Sequence, residues 1–537
     1  MKPPTPSTLF PLLLLVVLFL LSFNLGASDT TYDGLVQCLS KRVLPPNQVS
    51  KIVYQPTNAS FTTVLNDHVR NLRYNTSTTP KPLIIITPLV ESHVSAAVVC
   101  ATALRLHMKI RSGGHDYDGI SYVSPNPFII LDMFNLRSIE VNIQDESAWV
   151  QTGSTLGELY YRIWEKSKVH AFPAGICPTV GVGGHVSGGG YGNLLRKYGL
   201  AVDNLLDARI ADARGRILDR RAMGEDLFWA ISGGGGASFG IVLAYRVKLV
   251  RVPETVTVFR AELYLDEKVN MTDMVHKWQL VAPSTDVDLF MRMLIQPVSS
   301  RANNGKKTVR ASVLAEFLGP ANRLVTILDK DLPELGVKKE ICMEMSWIQS
   351  VLWWANFDNN TAPNVLLDRT PDSVYFLKRK SDYVQNPITK ANLDRLWNKL
   401  ITLGDSGLVF NAYGGRMSEI PATATPFPHR AGNLYKIQHS INWSEEGPEA
   451  EKNYMTQIRE SYSFMEPFVS RNPRGAFLNY RDLDIGVTSN GKDSYAEGLV
   501  YGLKYFDRNF DRLVKVKTAV DPTNFFRHQQ SIPVKLD

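Results

Sequence analysis

Between residues 81 and 252 short apolar, β-branched runs alternate with turn clusters, so strands are expected at 83–87, 128–132, 148–152, 208–211 and 241–249. Helix-like stretches separate them. Ser92 stands where an N-cap would open an apolar-periodic helix reaching Leu106, and a second helix is expected at 155–167. This is the pattern of an α+β domain with a mixed sheet. After Pro253 the runs lengthen and alternate apolar with polar positions at 258–264, 289–296 and 309–317, with amphipathic helices such as 390–403 between them. Such alternation marks antiparallel strands with one face on a core, and leaves the other face free to line a site. From Asn479 onward the Gly, Asp and aromatic texture of the first region returns. The expected organisation is therefore a first domain over 29–254, a second over 255–475, and a closing segment, 476–537, that folds back onto the first.

With 537 residues, 44% apolar and 21% charged, the chain has the balance of a well-packed globular protein, which excludes disordered and fibrous classes. The net charge of +7 is too dilute for a nucleic-acid groove. It is compatible with loose adhesion to an acidic polysaccharide. Residues 1–28 read as a secretory signal: Lys2, an apolar run over 9–23, then Gly26-Ala27-Ser28. As a membrane anchor the run is short of the roughly 20 apolar residues needed and is broken by Pro11. Sequons at Asn58, Asn75, Asn270, Asn359 and Asn442 fit N-glycans on a eukaryotic secreted protein.

Four cysteines leave their pairing open, but Cys177 lies in Gly-Ile-Cys-Pro-Thr-Val180 immediately before a glycine cluster and looks chemical. Cys342 reads as a buried small hydrophobe. The densest signal is the block 181–192, with seven glycines in twelve residues, followed by Gly233 to Gly236 and Gly240. Such blocks bring backbone amides close to pyrophosphate oxygens with no side chain in the way. They point to a large phosphate-bearing cofactor. Neither block has the dinucleotide or nucleoside-triphosphatase spacing. Gly236-Ala-Ser238-Phe-Gly240 lacks the strand-turn-helix context of a hydrolase elbow, and the ten histidines show no metal-ligand spacing, so no metal is expected. The second signal is His115 in a glycine-flanked turn: an imidazole there and the Cys177 thiol suit attachment to one cofactor.

The motifs RSGGHDYDG, GICPTVGVGGHVSGGGYGNLLRKYGL, DLFWAISGGGGASFGIV, TPFPHRAGNLYKIQ, NYRDLDIG and VDPTNFFRHQQSIP occur in this order. With them the chain resembles plant berberine-bridge-enzyme-like proteins, a branch of the flavin-linked oxidases of vanillyl-alcohol-oxidase type. The resemblance implies a two-part FAD-binding domain with an inserted α/β substrate domain built on a large antiparallel sheet. It implies bicovalent FAD, bonded through His115 and Cys177, and a Cys38–Cys100 disulfide. Arg111, Ser112, Gly113, Gly114, Val180, Gly181, Gly183, Gly184, His185, Gly188, Gly240, Val242 and Asn479 would complete the cofactor site.

The stretch 434–443 alternates, putting Lys436 and Gln438 on one polar face and Tyr435, Ile437, Ile441 and Trp443 on the other. By the resemblance Tyr191 is the catalytic base, with its phenolate stabilised by the Lys436 ammonium. Tyr117, Gln438 and Tyr480 position the substrate hydroxyl, and Tyr480 is the competing base. Val180 marks the position that gates dioxygen, where valine accompanies oxidases. Two positions depart from the family pattern: Ser232 stands for an arginine and Tyr501 for a tryptophan.

The expected function is a secreted, wall-associated FAD oxidase acting with O2 on an allylic or aromatic alcohol such as a monolignol. Oligosaccharide oxidation, oxidative or non-redox cyclisation of a specialised metabolite, and a vacuolar or vesicular location are alternatives. A wall-bound polyanion binder with a vestigial flavin is the reading from a different class.

Overall fold

The computed structural model describes residues 31–267, 270–370, 374–491 and 494–535. The expected signal run lies outside the described residues. No described helix is long and apolar enough to cross a membrane.

The fold mixes helix with three main sheets, the largest antiparallel. The amino-terminal region holds two sheets where one mixed sheet is expected. In the first, Ile84–Ile86 and Met108–Arg111 flank Ile129–Asp132 in parallel, while Val53–Tyr54 adds antiparallel to Ile84–Ile86. The second is wholly antiparallel and centres on Ile241–Lys248, between Ser147–Gln151 and Leu205–Ala211. The expected runs correspond to these strands to within a few residues. The first helix, Glu91–Ala103, starts before Ser92: its N-cap is Val90 and no side chain caps it. The helix Leu156–Lys166 opens instead on a full capping box, Thr155 with Glu158, which satisfies two otherwise orphaned amides. Cys38 and Cys100 form the implied disulfide, and the bridge clips the amino-terminal helical segment to Glu91–Ala103. Cys342 is half-buried rather than buried, its Sγ 3.5 Å from the Lys338 carbonyl.

The third sheet has seven strands in the order Met343–Met345, Val256–Tyr264, Lys307–Phe317, Leu289–Ser299, Gly407–Ala412, Tyr435–Trp443, Phe376–Val384, every pair antiparallel. One face packs Met293, Ile295, Leu408, Phe410 and Ile437 against the helices Met271–Val281, Ala321–Asp331 and Lys390–Leu403. Period-two alternation sends the intervening residues to the opposite face. That face meets the glycine-rich region. The carboxy-terminal chain crosses back to the amino-terminal sheets: the Lys517 ammonium, fully buried, bonds the Ser238 carbonyl, Asp521 and the Phe526 carbonyl.

Candidate active site

A cavity of about 400 Å³ opens between the glycine blocks and the free face of the seven-stranded sheet, within the usual size range of cofactor and ligand sites. Its glycine wall is made by backbone contacts that no side chain could share. A Cβ on Gly113 would run into the Gly181 amide, and one on Gly188 into the Asn479 carboxamide, which donates to the His185 carbonyl at 2.8 Å. At Gly184 a Cβ would meet nothing within 4 Å, so this glycine leaves the cavity open. Ser112 anchors the first loop by donating to the Thr152 carbonyl at 2.6 Å.

His115 and Cys177 both line the cavity. The imidazole Nε2 is 3.0 Å from Thr179 Oγ1, and burial, helped by the Arg70 charge, holds its pKa down to about 3. It is therefore a neutral nitrogen nucleophile at any physiological pH. Cys177 presents an exposed face to the cavity. The surrounding protein raises its pKa, and the Arg292 and Arg379 guanidiniums oppose that rise.

The opposite wall is two rungs of the sheet. Register pairs Arg292 with Asn411 and Asn411 with Lys436; the next rung pairs Leu294 with Val409 and Val409 with Gln438. Tyr191 reaches this wall from the glycine block and donates to Asn411 Oδ1 at 2.6 Å, an oxygen that also accepts from Arg292 Nε at 3.1 Å. Gln438 donates to the Tyr117 hydroxyl at 3.3 Å, and the Tyr117 and Tyr480 rings lie 5.9 Å apart.

Residues 82–220 match the FAD binding domain family and residues 476–533 the family described as berberine and berberine like. The chain is 60% identical to berberine bridge enzyme-like 21 of Arabidopsis thaliana over 513 residues, covering 95% of this chain and 94% of that protein.

The chain belongs to the berberine bridge enzyme-like family.

Among solved structures it is similar to berberine bridge enzyme-like 28 of the same plant, with TM-score 0.86 and 44% identity over 94% of this chain and all of that one. It is also similar to Phl p 4, a grass pollen allergen with glucose dehydrogenase activity, with TM-score 0.88 and 41% identity over 94% of this chain and all of the allergen. An isoleucine-to-valine variant of Phl p 4 is a glucose oxidase. As a family member the protein is an FAD-linked oxidoreductase.

The residues of this berberine bridge enzyme-like cavity fit FAD. Besides the open glycine wall, Lys109 lines it with an Nζ that is buried and has no protein partner among the described residues. Burial brings this lysine down to about 8, opposed by Asp116. An unpaired cation at the wall suits a group carrying phosphate charge.

Of the candidate residues, Tyr117, Tyr191, Gln438, Tyr480, His115, Cys177, Ser112, Gly113, Gly114, Val180, Gly181, Gly183, Gly184, His185, Gly188, Gly240, Val242 and Asn479 line the cavity. Two do not. Arg111 is fully buried behind its loop, with its guanidinium on Asp132 at 2.6 Å and on the Val64 and Leu65 carbonyls. It holds the loop rather than the cofactor. Lys436 is fully buried behind three rings, 3.8 Å from the Tyr191 centroid, 3.8 Å from Phe477 and 4.2 Å from Tyr480, with no hydrogen-bond partner for Nζ among the described residues. Burial, aided by Arg292, pushes its pKa far down. Where an ammonium-to-phenolate contact is expected, the Lys436 nitrogen lies over the face of the Tyr191 ring.

The cation that meets the Tyr191 hydroxyl is Arg292. Burial raises the phenol pKa, and Arg292 opposes that rise by charge and hydrogen bond. Arg292 and Asn411 were missed from sequence, although alternation within 289–296 does put Arg292 on the polar face. The two departures from the family pattern stay clear of the cavity lining: Ser232 Oγ bonds the Phe228 carbonyl, and the Tyr501 hydroxyl the Ser531 carbonyl.

Proposed function

We propose that the protein is a secreted oxidase that removes a hydride from an allylic or aromatic alcohol, with Tyr191 taking the hydroxyl proton. The observation that carries this reading is the Tyr191–Asn411–Arg292 arrangement, a phenol held against a permanent cation in a buried wall. His115 and Cys177 would hold FAD by covalent bonds, and FAD supplies the hydride acceptor that passes the electron pair to dioxygen, releasing hydrogen peroxide. Tyr117 and Gln438, already bonded to each other, and Tyr480 orient the substrate hydroxyl toward Tyr191 Oη. As the hydride leaves the carbinol carbon the hydroxyl proton moves to the Tyr191 phenolate, the form that Arg292 favours, and leaves the neutral phenol. Val180 lines the cavity and leaves room for dioxygen. That an isoleucine-to-valine variant turns the name of Phl p 4 from glucose dehydrogenase to glucose oxidase supports this.

The likeness to Phl p 4 favours a second reading, oxidation of a wall oligosaccharide at its anomeric carbon. The same catalytic groups serve both. The sequon asparagines Asn58, Asn75, Asn270, Asn359 and Asn442 are all exposed, which supports passage through a glycosylating pathway to the cell wall, where the surplus of basic residues suits loose contact with acidic polysaccharide.

The test is peroxide release by the purified protein with cinnamyl-type alcohols, cellobiose, oligogalacturonides and prenylated phenols. Turnover of the alcohols alone is expected; turnover of sugars alone replaces the first reading with the second. Yellow absorbance that stays with acid-precipitated protein in the His115→Ala and Cys177→Ala single variants, and is lost in the double variant, is the expected sign of two covalent links.

A further inference from the structure

Two tyrosines of the cavity wall are held from behind by one lysine. Asp118 follows Tyr117 by one residue, and Asp482 follows Tyr480 by two. Lys378 Nζ lies 2.7 Å from Asp118 Oδ2 and 2.8 Å from Asp482 Oδ1, so a single ammonium bridges both loops. The loops also touch directly, the Leu483 amide donating to Asp118 Oδ2 at 2.7 Å. Lys380 takes the other Asp482 oxygen at 2.6 Å and Asp484 at 2.9 Å, and Arg459 pairs with Asp484 at the rim at 2.8 Å. Lys378, Lys380, Asp118 and Asp482 are at most 3% exposed. Between the two lysines, Arg379 points the other way and lies 5.5 Å from the Tyr117 centroid. Further neighbours are Asp116, which accepts from the Asp118 amide at 3.0 Å, the Tyr74 hydroxyl and Arg73 on Asp118, Glu451 paired with Arg73, the Tyr505 hydroxyl on the Asp482 amide, and the Tyr462 ring beside Lys380.

Buried ion pairs are weak sources of net stability compared with apolar packing, but they specify geometry. Here the geometry specified is that of two loops far apart in sequence, each carrying a ring of the substrate wall. We propose that Lys378 is a positioning residue for the substrate site: its bridge from Asp118 to Asp482 sets the spacing between Tyr117 and Tyr480. This rests on the reading of that wall as the substrate site.

Removing the ammonium leaves Asp482 held by Lys380 at 2.6 Å and Asp118 paired, among the described residues, only with Arg73 at 3.8 Å, so Asp118, facing a second carboxylate, is the one that takes up a proton as the pH falls. Lys378→Gln is therefore expected to raise KM about tenfold near pH 8 with a smaller effect on kcat, and to recover toward wild type near pH 5. The charge-balanced variant Lys378→Gln/Asp482→Asn keeps the raised KM and loses the pH trend. A Lys378→Gln enzyme with wild-type KM at both pH values overturns the proposal, and if that variant does not fold, a wild-type KM in the double variant does so. The flavin absorbance change on binding a non-reacting phenol reads the same site without turnover. A wild type that binds the phenol but oxidises no alcohol removes the oxidase reading and leaves this inference to the binding constants of the same variants.

Discussion

Lys436 Nζ sits 3.8 Å from the centroid of the Tyr191 ring, while the Tyr191 hydroxyl turns away to Asn411 Oδ1 at 2.6 Å, the oxygen that also accepts from Arg292 Nε at 3.1 Å. The two cations divide the work by their environments. Burial drives Lys436 toward the neutral amine, whereas a guanidinium stays charged at any working pH. The phenolate of Tyr191 thus depends on Arg292 more than on Lys436.

The pH dependence follows with a definite sign. With Tyr191 as the proposed base, which acts when deprotonated, kcat/KM rises with pH through the Tyr191 pKa, which burial raises and Arg292 opposes. Arg292→Met removes the lowering influence, and the acidic limb of the kcat/KM profile should move up by about one unit or more. Lys436→Met should move it less. Profiles of wild type and both variants carried above about pH 10, the ordinary phenol value, check this.

Gly184 lines the cavity, and a Cβ there would have no protein atom within 4 Å. Gly184→Leu should fold with wild-type thermal stability and lose most of its flavin, read as the ratio of visible to ultraviolet absorbance. Gly188→Ala should lose both, because its Cβ would collide with Asn479.

Val180 lines the cavity, and the oxidase reading gives it the place where dioxygen enters. Adding one methylene group in a close-packed wall removes the room for dioxygen. Val180→Leu should slow flavin reoxidation by roughly tenfold or more while leaving anaerobic flavin reduction close to wild type. Stopped-flow measurement of both half-reactions separates the two effects.

His68 and His429 are buried with one ring nitrogen each unpartnered among the described residues, and burial lowers them to about 4 and about 3. In the unfolded chain each titrates near 6.5. Because the folded pKa is the lower one, stability is fully present above about 6.5 and falls as the pH drops toward the folded values, by about 1.4 kcal/mol per pH unit for each histidine. Melting temperature should decline between about pH 6.5 and 4, and His429→Gln should flatten the decline.

Much of this fold was legible because its strands alternate. Residues 435–443 place Lys436 and Gln438 opposite Tyr435 and Ile437 by period alone, and the structure keeps that division. Arg292 was not legible in the same way. Alternation in the run Leu289 to Gln296 puts Arg292 on the polar face, but only register with Asn411 and Lys436 on neighbouring strands gives that arginine a partner. Register between strands distant in sequence is not a property of either strand. Arg111 shows the converse: an arginine in a glycine motif looks like an anion binder until Asp132, on the adjacent parallel strand, captures it. The depth of Lys436 is likewise a product of three rings from three segments, which no local pattern contains.

The most direct test of Tyr191 as the base is anaerobic flavin bleaching by a cinnamyl-type alcohol in wild type, Tyr191→Phe and Tyr480→Phe. Tyr191→Phe should bleach roughly 100-fold or more slowly with the alcohol still bound, and Tyr480→Phe should be affected mainly through binding. Equal bleaching rates in wild type and Tyr191→Phe, or a larger loss in Tyr480→Phe, would contradict the assignment.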